Sequence, residues 1–253
     1  MAIIESRNLL LRQPWLFERI YPDCTGEVMD MCWQVFRMFG LADAGLNILD
    51  AGCGTGRNLA RLVQQGHRGV GIDISESMMR FATERYPNLE IHTGDMRAFD
   101  LGETFDAIVC LGSAFTYNLS NADVHATLGS FRKHLKNGGI LILDVLNACR
   151  FLGSEEFKEG VEIRVDEADF HATAVAQHLI DRRRQSFRRV RTWHIDGREE
   201  PVIDDAEYRL FFPLELEDYL CRHQYSVLGM WDNEELKETD LTDRRPYVAA
   251  RAL

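Results

Sequence analysis

Residues 49–58 read LDAGCGTGRN, where an aspartate, Asp50, stands directly before three glycines at alternate positions. The glycines are Gly52, Gly54 and Gly56. Glycines at this spacing let the backbone approach a ligand closely and let a helix begin without a Cβ in the way. The pattern predicts a ligand-binding loop, although a glycine loop taken alone also fits a tight strand-to-helix turn.

Two further acids favour the ligand-binding interpretation. Asp73 ends an apolar run 23 residues after Asp50, where a carboxylate can accept two hydrogen bonds from a ribose diol. Asp95 ends the next apolar run, in GDM. Carboxylates at three consecutive strand ends would face one crevice, where they are costly unless a ligand offers donors or positive charge.

Two ligands compete for this arrangement, a nicotinamide dinucleotide and S-adenosylmethionine. The dinucleotide pattern G-x-G-x-x-G seats a pyrophosphate on the helix N-terminus, but here the third glycine comes one residue early. A carboxylate at Asp50 also suits an ammonium better than a pyrophosphate. None of the seven tyrosines has a lysine four residues on, so a reductase-type pair is missing and an NAD-dependent oxidoreductase is the remote alternative.

The elements that must position these residues alternate along the chain. Apolar runs predict five strands, at residues 46–51, 69–74, 89–95, 105–113 and 140–146. Helical spacing predicts connecting helices at residues 57–65, 75–86 and 122–137. Apolar strands alternating with helices are typical of a parallel sheet covered on both faces, where ligands bind at the carboxyl ends of the strands.

The pattern changes after residue 150. Residues 161–212 alternate apolar and polar side chains, which predicts antiparallel strands. A helix and two strands follow, at 213–225, 225–231 and 246–253. We therefore predict three parts: an N-terminal helical cap at 1–45, a ligand-binding core at 46–150 and 213–253, and an antiparallel insertion at 151–212 that serves as a substrate lid or an oligomer contact.

Several segments, taken together, resemble class I S-adenosylmethionine-dependent methyltransferases. They are LDAGCGTG (49–56), GIDISESM (71–78), GDM (94–96), FDAIVCLG (105–112) and GGILILDV (138–145). They lie within about residues 46–146 in the expected order. The resemblance implies an α/β fold with a doubly wound, seven-stranded, mostly parallel Rossmann-like sheet, in which the last strand is antiparallel and lies between the fifth and sixth.

The resemblance also implies S-adenosyl-L-methionine as the cofactor. The glycine loop would hold its methionine part, Asp73 the ribose hydroxyls, and Asp95 with Met96 the adenine. Met78 would lie near ribose and adenine. The cofactor-binding residues implied in this way are Asp50, Gly52, Cys53, Gly54, Gly56, Asn58, Asp73, Ile74, Met78, Asp95, Met96, Cys110 and Leu111.

Motifs that this sequence lacks indicate which classes of acceptor are excluded. Methyltransferases that act on exocyclic amino groups of nucleic-acid bases carry [DN]PP[YF] after strand four, where this chain has LGSAF. Metal-dependent catechol methyltransferases place acids after strands four and five, whereas this chain has Leu111 in the first zone and Asp144 alone in the second. The paired-glutamate loop of protein-arginine methyltransferases is also missing. These absences predict a small-molecule acceptor and no metal.

Two later segments resemble methyltransferases that tailor natural products, including enzymes that act on amino sugars and on the proline nitrogen of lincosamides. They are GSAFTYNLSNADVH (112–125) and EYRLFFPLELEDYL (207–220). They favour an amine nitrogen of a secondary metabolite or amino sugar as the acceptor. A small-molecule O-methyltransferase is the first alternative, and a non-catalytic S-adenosylmethionine-binding module is the alternative from another class.

Methyl transfer mainly requires alignment of donor and acceptor, and an amine acceptor must also lose its proton. The candidate catalytic residues are Tyr21, Tyr117 and His125. The candidate substrate contacts are Trp15, Phe115 and Tyr117. Tyr21 could instead hold the cofactor carboxylate, and the aromatic residues near strand four could instead be plain core.

An arginine-rich segment, DRRRQSFRRVR at 181–191, stands out in an otherwise acidic chain. One interpretation is a solvated or salt-bridged strand, or part of a subunit interface. Another is an anion site for a nucleotide-linked sugar, because guanidinium groups match phosphate. Weak RNA binding is a third.

The formal net charge of −11 argues against a nucleic-acid partner held by bulk charge. No apolar stretch approaches the length of a membrane span, and the first residues lack a signal-peptide pattern. The six cysteines are scattered without C-x-x-C pairs, which favours reduced thiols. We therefore expect a cytoplasmic protein that takes a small-molecule acceptor, with no nucleic-acid or membrane partner, and a homo-oligomer as one possibility.

Overall fold

A computed structural model describes residues 8–21, 23–42, 44–153 and 161–253. The strands in this part of the chain are β1 (Asn47–Ala51), β2 (Arg68–Asp73), β3 (Glu90–Thr93), β4 (Phe105–Cys110), β5 (Leu135–Asp144), β6 (Leu146–Asn147), β7 (Val161–Glu167), β8 (Phe170–Asp181), β9 (Ser186–Ile195), β10 (Val202–Phe211), β11 (Tyr225–Trp231) and β12 (Tyr247–Ala252). The helices are α1 (Leu9–Arg12), α2 (Pro14–Ile20), α3 (Thr25–Met38), α4 (Arg57–Gln64), α5 (Glu76–Arg85), α6 (Asn121–His134), α7 (Ala148–Gly153) and α8 (Pro213–Arg222), and a 3₁₀ turn spans Ala114–Tyr117. None of these helices has the length and apolar character needed to cross a membrane.

The first sheet has seven strands in the order β11-β12-β5-β4-β1-β2-β3. Strand β12 is antiparallel to both β5 and β11, and the pairs among β1 to β5 are parallel. The antiparallel last strand therefore lies between β5 and β11. This topology confirms the predicted α/β class with a mostly parallel sheet.

Both faces of this sheet are covered, because successive strand residues point to opposite sides. In β1, Leu49 packs in a core cluster with Val124 and Leu128 of α6 and with Leu220 of α8. Its neighbour Ile48 belongs to a second cluster that includes residues of α3 and α4. Two-sided burial explains why β1, β4 and β5 read as apolar runs without alternation.

The second sheet has the order β6-β10-β9-β8-β7, in which β7 to β10 are antiparallel and β6 is parallel to β10. The alternation in the sequence predicted these antiparallel strands. The inner face of β8 carries small buried side chains, among them Ala172 and Ala174, which cluster with Leu16 of α2 and Trp193 of β9. Small residues on this face let α2 lie close to the sheet.

Several predicted boundaries in and beside the first sheet are wrong, including that of the fifth strand, which is predicted at 140–146 and spans Leu135–Asp144. Helix α6 ends at His134 rather than at residue 137, because Leu135 already pairs with Phe105 of β4. Lys136 then forms an ion pair with Asp106 at 2.7 Å, which anchors the start of β5. Strand β4 ends at residue 110 rather than 113, and the next residues turn into the 3₁₀ segment.

Candidate active site

The glycine loop follows β1 and is held against the end of β2. The amides of Gly52 and Cys53 donate to the carbonyl of Ile72 at 2.8 and 3.0 Å. Gly52 has a φ of +78°, and a Cβ there would lie 2.7 Å from the Cβ of Ala114, so no larger residue fits. Gly54 has a φ of +54°, and a Cβ there would have no heavy atom within 4 Å. The loop thus presents bare backbone to open space at the carboxyl end of the sheet.

Asp73 is fixed at the end of β2 by two backbone donors. Its Oδ2 accepts from the amide of Gly54 at 2.9 Å, and its Oδ1 accepts from the amide of Ser75 at 2.8 Å. Burial raises the pKa of Asp73, although these donors oppose the shift. Each carboxylate oxygen keeps a lone pair for a further donor, which fits the predicted contact with a ribose diol.

Asp50 is fully buried, and its Oδ2 has no hydrogen-bond partner among the described residues. Burial, with a smaller effect from Asp73, raises the pKa of Asp50 to about 7. A buried carboxylate oxygen without a partner is costly unless a donor or cation binds it. Asp50 therefore fits a positively charged ligand group such as an ammonium.

Asp95 forms an ion pair with its neighbour Arg97. Its carboxylate accepts from Arg97 Nη2 at 2.6 Å and from Arg97 Nε at 2.9 Å, and Arg97 also binds Asp123 at 2.9 Å. The hydrogen bonds from Arg97 hold the pKa of Asp95 below its ordinary value. The carboxylate predicted to hold the adenine edge is thus engaged by a neighbouring guanidinium. Its neighbour Met96 accepts from Asn118 Nδ2 through sulfur at 3.7 Å.

The other predicted cofactor residues differ in how exposed their side chains are. Ile74, directly after β2, is 60% exposed, which leaves an apolar surface at the crevice on which a flat ring could pack. Asn58 is half-buried in the first turn of α4. The remaining predicted side chains are buried: Cys53, Met78, Cys110 and Leu111.

Two predicted catalytic tyrosines come together between the two sheets. The hydroxyl of Tyr117 accepts from Asn8 Nδ2 at 2.7 Å, and its ring lies 5.1 Å from that of Tyr208 on β10. The hydroxyl of Tyr21 lies 3.4 Å from Arg191 Nη2. Desolvation, with Tyr208 beside it, raises the pKa of Tyr117 well above its ordinary value although part of its ring is exposed. Tyr117 therefore stays protonated at neutral pH.

Three other predicted residues lie elsewhere. His125 is on α6, where its Nδ1 is 2.9 Å from His223 Nε2 and its ring meets Tyr219 of α8. Phe115 is fully buried in the core, which favours the plain-core alternative over its predicted contact with the substrate. Trp15 packs edge-on against Phe170 of the second sheet, with ring centroids 6.0 Å apart. The fold does not bring His125 or Trp15 to the two tyrosines.

An arginine cluster borders the tyrosines. Arg189 donates to the hydroxyl of Tyr208 at 2.8 Å, while its Nε has no partner among the described residues. Burial lowers the pKa of Arg244, and the positive charges of Arg189 and Arg245 lower it further, so the three guanidinium groups lie close enough to repel. Sequence analysis missed Arg244 and Arg245, and the arginine pair directly before the last apolar run was the available signal.

The remainder of the arginine-rich segment is structural. Arg191 is buried and pairs with buried Asp204, with Nε 2.7 Å from Oδ2. Arg188 pairs with Asp205 at 2.6 Å. Residues 182–184 lie exposed in the turn between β8 and β9. The salt-bridged interpretation thus holds for two arginines, of which Arg191 also lies beside Tyr21, and Arg189 lies beside Tyr208.

Residues 48–139 match the sequence profile of the family described as Methyltransferase domain. The chain is 35% identical over 98 residues to a dTDP-3-amino-3,4,6-trideoxy-alpha-D-glucopyranose N,N-dimethyltransferase from Streptomyces venezuelae, across 39% of this chain and 41% of that protein. It is 38% identical over 106 residues to a glycine/sarcosine N-methyltransferase from Aphanothece halophytica, across 40% of each protein. The matched region thus spans about two fifths of the length of these curated relatives.

Similarity in three dimensions extends along almost the whole chain. The structure of S-adenosylmethionine-bound CalS10, an amino pentose methyltransferase from Micromonospora echinaspora, aligns with a TM-score of 0.75 at 24% identity, over 94% of this chain and 96% of that one. Residues 48–139 are therefore similar to a methyltransferase domain, and the chain has the fold of the class I S-adenosylmethionine-dependent methyltransferases.

Proposed function

We propose that this protein is an S-adenosylmethionine-dependent methyltransferase that methylates the nitrogen of a small-molecule amine. The observation that carries the proposal is the pair of buried aspartates beside the bare glycine loop. Asp73 is aimed by two backbone amides, and Asp50 keeps a buried oxygen without a partner. Such a pair suits a ligand that carries a sugar diol and an ammonium.

The cofactor would supply a sulfonium methyl group, which is already a strong electrophile. The chain mainly has to hold the acceptor in line and exclude water. Asp73 would bind the ribose hydroxyls, Asp50 the ammonium and Ile74 one face of the adenine. Because Arg97 engages the Asp95 carboxylate, the adenine edge would be bound by backbone near Met96 unless that ion pair opens.

The acceptor would lie between the two sheets, beside Tyr117 and Tyr208. Tyr117 would act as a hydrogen-bonding group rather than as a base, since its raised pKa keeps it protonated. The cluster of Arg189, Arg244 and Arg245 favours an acceptor that carries an anionic group in addition to the amine. On this proposal, the sheet of β6 to β10 forms the cover over the acceptor.

Two acceptor types combine an amine with an anion, and the relatives named above act on examples of both. A nucleotide-linked amino sugar carries a diphosphate, and an amino acid carries a carboxylate. A diphosphate offers more oxygens to guanidinium groups than a carboxylate does, so the three arginines of the cluster favour the amino sugar. Secondary-metabolite biosynthesis is the setting that this choice implies.

Calorimetric titration with S-adenosylmethionine tests the cofactor assignment. We expect micromolar binding by the wild-type protein and a loss of about tenfold or more for Asp73→Ala, since its carboxylate would otherwise bind the ribose hydroxyls. Asp106→Asn is a suitable control, because Asp106 lies near the start of β4, whereas the proposed cofactor site lies at the carboxyl ends of the strands. Equal affinity of wild type and Asp73→Ala would refute the proposed cofactor site.

Methyl transfer from labelled cofactor to two probes tests the acceptor. The probes are dTDP-3-amino-3,4,6-trideoxyglucose and glycine. We expect the sugar nucleotide to be methylated and Arg189→Met to raise its KM by about tenfold or more with a smaller change in kcat. Methylation of glycine alone would point to the amino-acid class, and cofactor binding without transfer to any amine or alcohol would favour a non-catalytic binding module.

A further inference from the structure

Ser113, three residues after the end of β4, and Asp144, which ends β5, form a hydrogen-bonded pair at the crevice. The backbone amide of Ser113 donates to Asp144 Oδ2 at 2.7 Å, and the Ser113 hydroxyl donates to the same oxygen at 2.9 Å. Ser113 is half-buried and lies one residue before the 3₁₀ turn that carries Tyr117, whereas Asp144 is 1% exposed. A partly accessible hydroxyl is thus backed by a buried carboxylate.

The backbone of Ser113 adopts a conformation that favours glycine. Its φ is +62°, which is uncommon for a residue with a side chain. The carbonyl of Ser113 accepts from the Thr116 amide at 3.1 Å and from the Thr116 hydroxyl at 2.5 Å, and these bonds hold the turn. Strained residues of this kind gather at functional sites. A serine here keeps a hydroxyl where glycine would relieve the strain.

The carboxylate of Asp144 is only half satisfied. Its Oδ1 is buried and has no hydrogen-bond partner among the described residues. Arg245 Nε lies 3.8 Å from Oδ2, which is beyond hydrogen-bond distance. A buried carboxylate with one bare oxygen has a strong tendency to take up a proton.

We propose that Ser113 and Asp144 form a relay that removes the proton from the acceptor amine before methyl transfer. This inference rests on the proposed amine methyltransferase function. The ammonium of the acceptor passes a proton to Ser113 Oγ while the proton of that hydroxyl passes to Asp144. The products are a neutral amine with a free lone pair and a neutral carboxyl group, so charge and atoms balance. Because the Ser113 hydroxyl donates to Asp144, its own lone pairs remain available to the acceptor.

The surroundings of Asp144 agree with this role. Burial raises its pKa, while Arg245 and the Ser113 bonds oppose the shift. The other titratable groups near it are the thiols of Cys32 and Cys110 and the hydroxyl of Tyr247, and burial raises the pKa of each. These three groups are therefore neutral near pH 7, and the charged group beside Asp144 is Arg245, which lies two residues before β12.

The two tyrosines beside the acceptor do not replace this relay. A tyrosine with a raised pKa stays protonated at neutral pH and therefore cannot take a proton from the amine, and Tyr117 is of this kind. His125 pairs with His223 on the outer side of α6. Ser113, after β4, and Asp144, at the end of β5, thus together combine access with capacity for a proton.

The test compares wild type with Ser113→Gly and Asp144→Asn in single-turnover methyl transfer, with dTDP-3-amino-3,4,6-trideoxyglucose or glycine as acceptor, whichever the wild type methylates. Ser113→Gly removes the hydroxyl and keeps the left-handed backbone. We expect a loss of about 10²-fold at neutral pH that shrinks as the pH rises through the pKa of the amine, because the amine then arrives deprotonated. Affinity for S-adenosylhomocysteine should change by less than about threefold.

A rate loss of the same size at every pH would indicate a structural role and would overturn the relay, as would an unchanged rate in both variants. NMR can follow the carboxyl carbon of Asp144 in the S-adenosylhomocysteine complex, with its signal assigned by comparison with the Asp144→Asn variant. This measurement needs no acceptor and reports the pKa of the carboxyl group. We expect it to titrate above the ordinary aspartate range. Titration at or below that range refutes the relay, whereas failure of the wild type to bind cofactor refutes the proposed function instead.

Discussion

Replacing Asp50 by asparagine should stabilise the ligand-free protein at neutral pH and weaken its binding of S-adenosylmethionine. Burial of Asp50 raises its pKa from an ordinary 3.8 to about 7. Folding therefore favours the protonated form, and the folded state becomes less stable as the pH rises from about 4 to about 7. Asparagine is uncharged and escapes this loss.

The size of the effect follows from the same shift. A pKa change from 3.8 to about 7 corresponds to about 4 kcal/mol of lost stability once Asp50 is fully ionised. Asparagine in turn leaves a buried amide without a partner, which costs about 1–3 kcal/mol. The net gain at about pH 8 is then about 2 kcal/mol, or about 4–8 °C in Tm for a chain of this length.

Urea unfolding of the ligand-free protein at about pH 8 and about pH 4.5 measures this gain. The advantage of Asp50→Asn should shrink or reverse at the lower pH, where Asp50 is protonated in the folded state. Asp106→Asn is a control in which the opposite change of stability with pH is expected. Burial raises the pKa of Asp106, but hydrogen bonds from Lys136 and the Asn47 amide outweigh this effect and leave the pKa lowered. A pH-independent difference, or destabilisation by Asp50→Asn at about pH 8, would show that the carboxylate is not strained in the ligand-free fold.

Two further substitutions test the packing of the site and of its cover. Gly52→Ala places a Cβ 2.7 Å from the Cβ of Ala114 at a φ of +78°, so thermal unfolding should show a loss of stability of about 1–3 kcal/mol. Gly26→Ala is the control: its new Cβ would have no heavy atom within 4 Å, so this change should be neutral or stabilising. Arg191→Met removes the guanidinium group that pairs with the buried Asp204 carboxylate and should cost about 3–5 kcal/mol in denaturant unfolding, most of which a second change, Asp204→Leu, should restore. A loss below about 1 kcal/mol for either destabilising variant would contradict the packing that we describe.

The sequence by itself determined the first sheet and the glycine loop, because these depend on local patterns. Apolar runs separated by helical spacing fix parallel strands, and parallel strands bring their carboxyl ends to one edge whatever the rest of the chain does. Asp50 and Asp73 therefore had to lie close together. Their partners within the loop, such as the amide of Gly54, are also set by short-range geometry.

Only the tertiary structure decided which side chains meet across the second sheet and the helices. Arg189 reaches Tyr208 because β9 and β10 pair in one register, and residue spacing does not reveal that both lie beside Tyr117. Likewise Asp144 meets Ser113 only when β5 lies beside β4, and His125 faces α8 rather than the crevice. A strand or helix period says which face a residue occupies, but the identity of its distant neighbour depends on how whole elements pack.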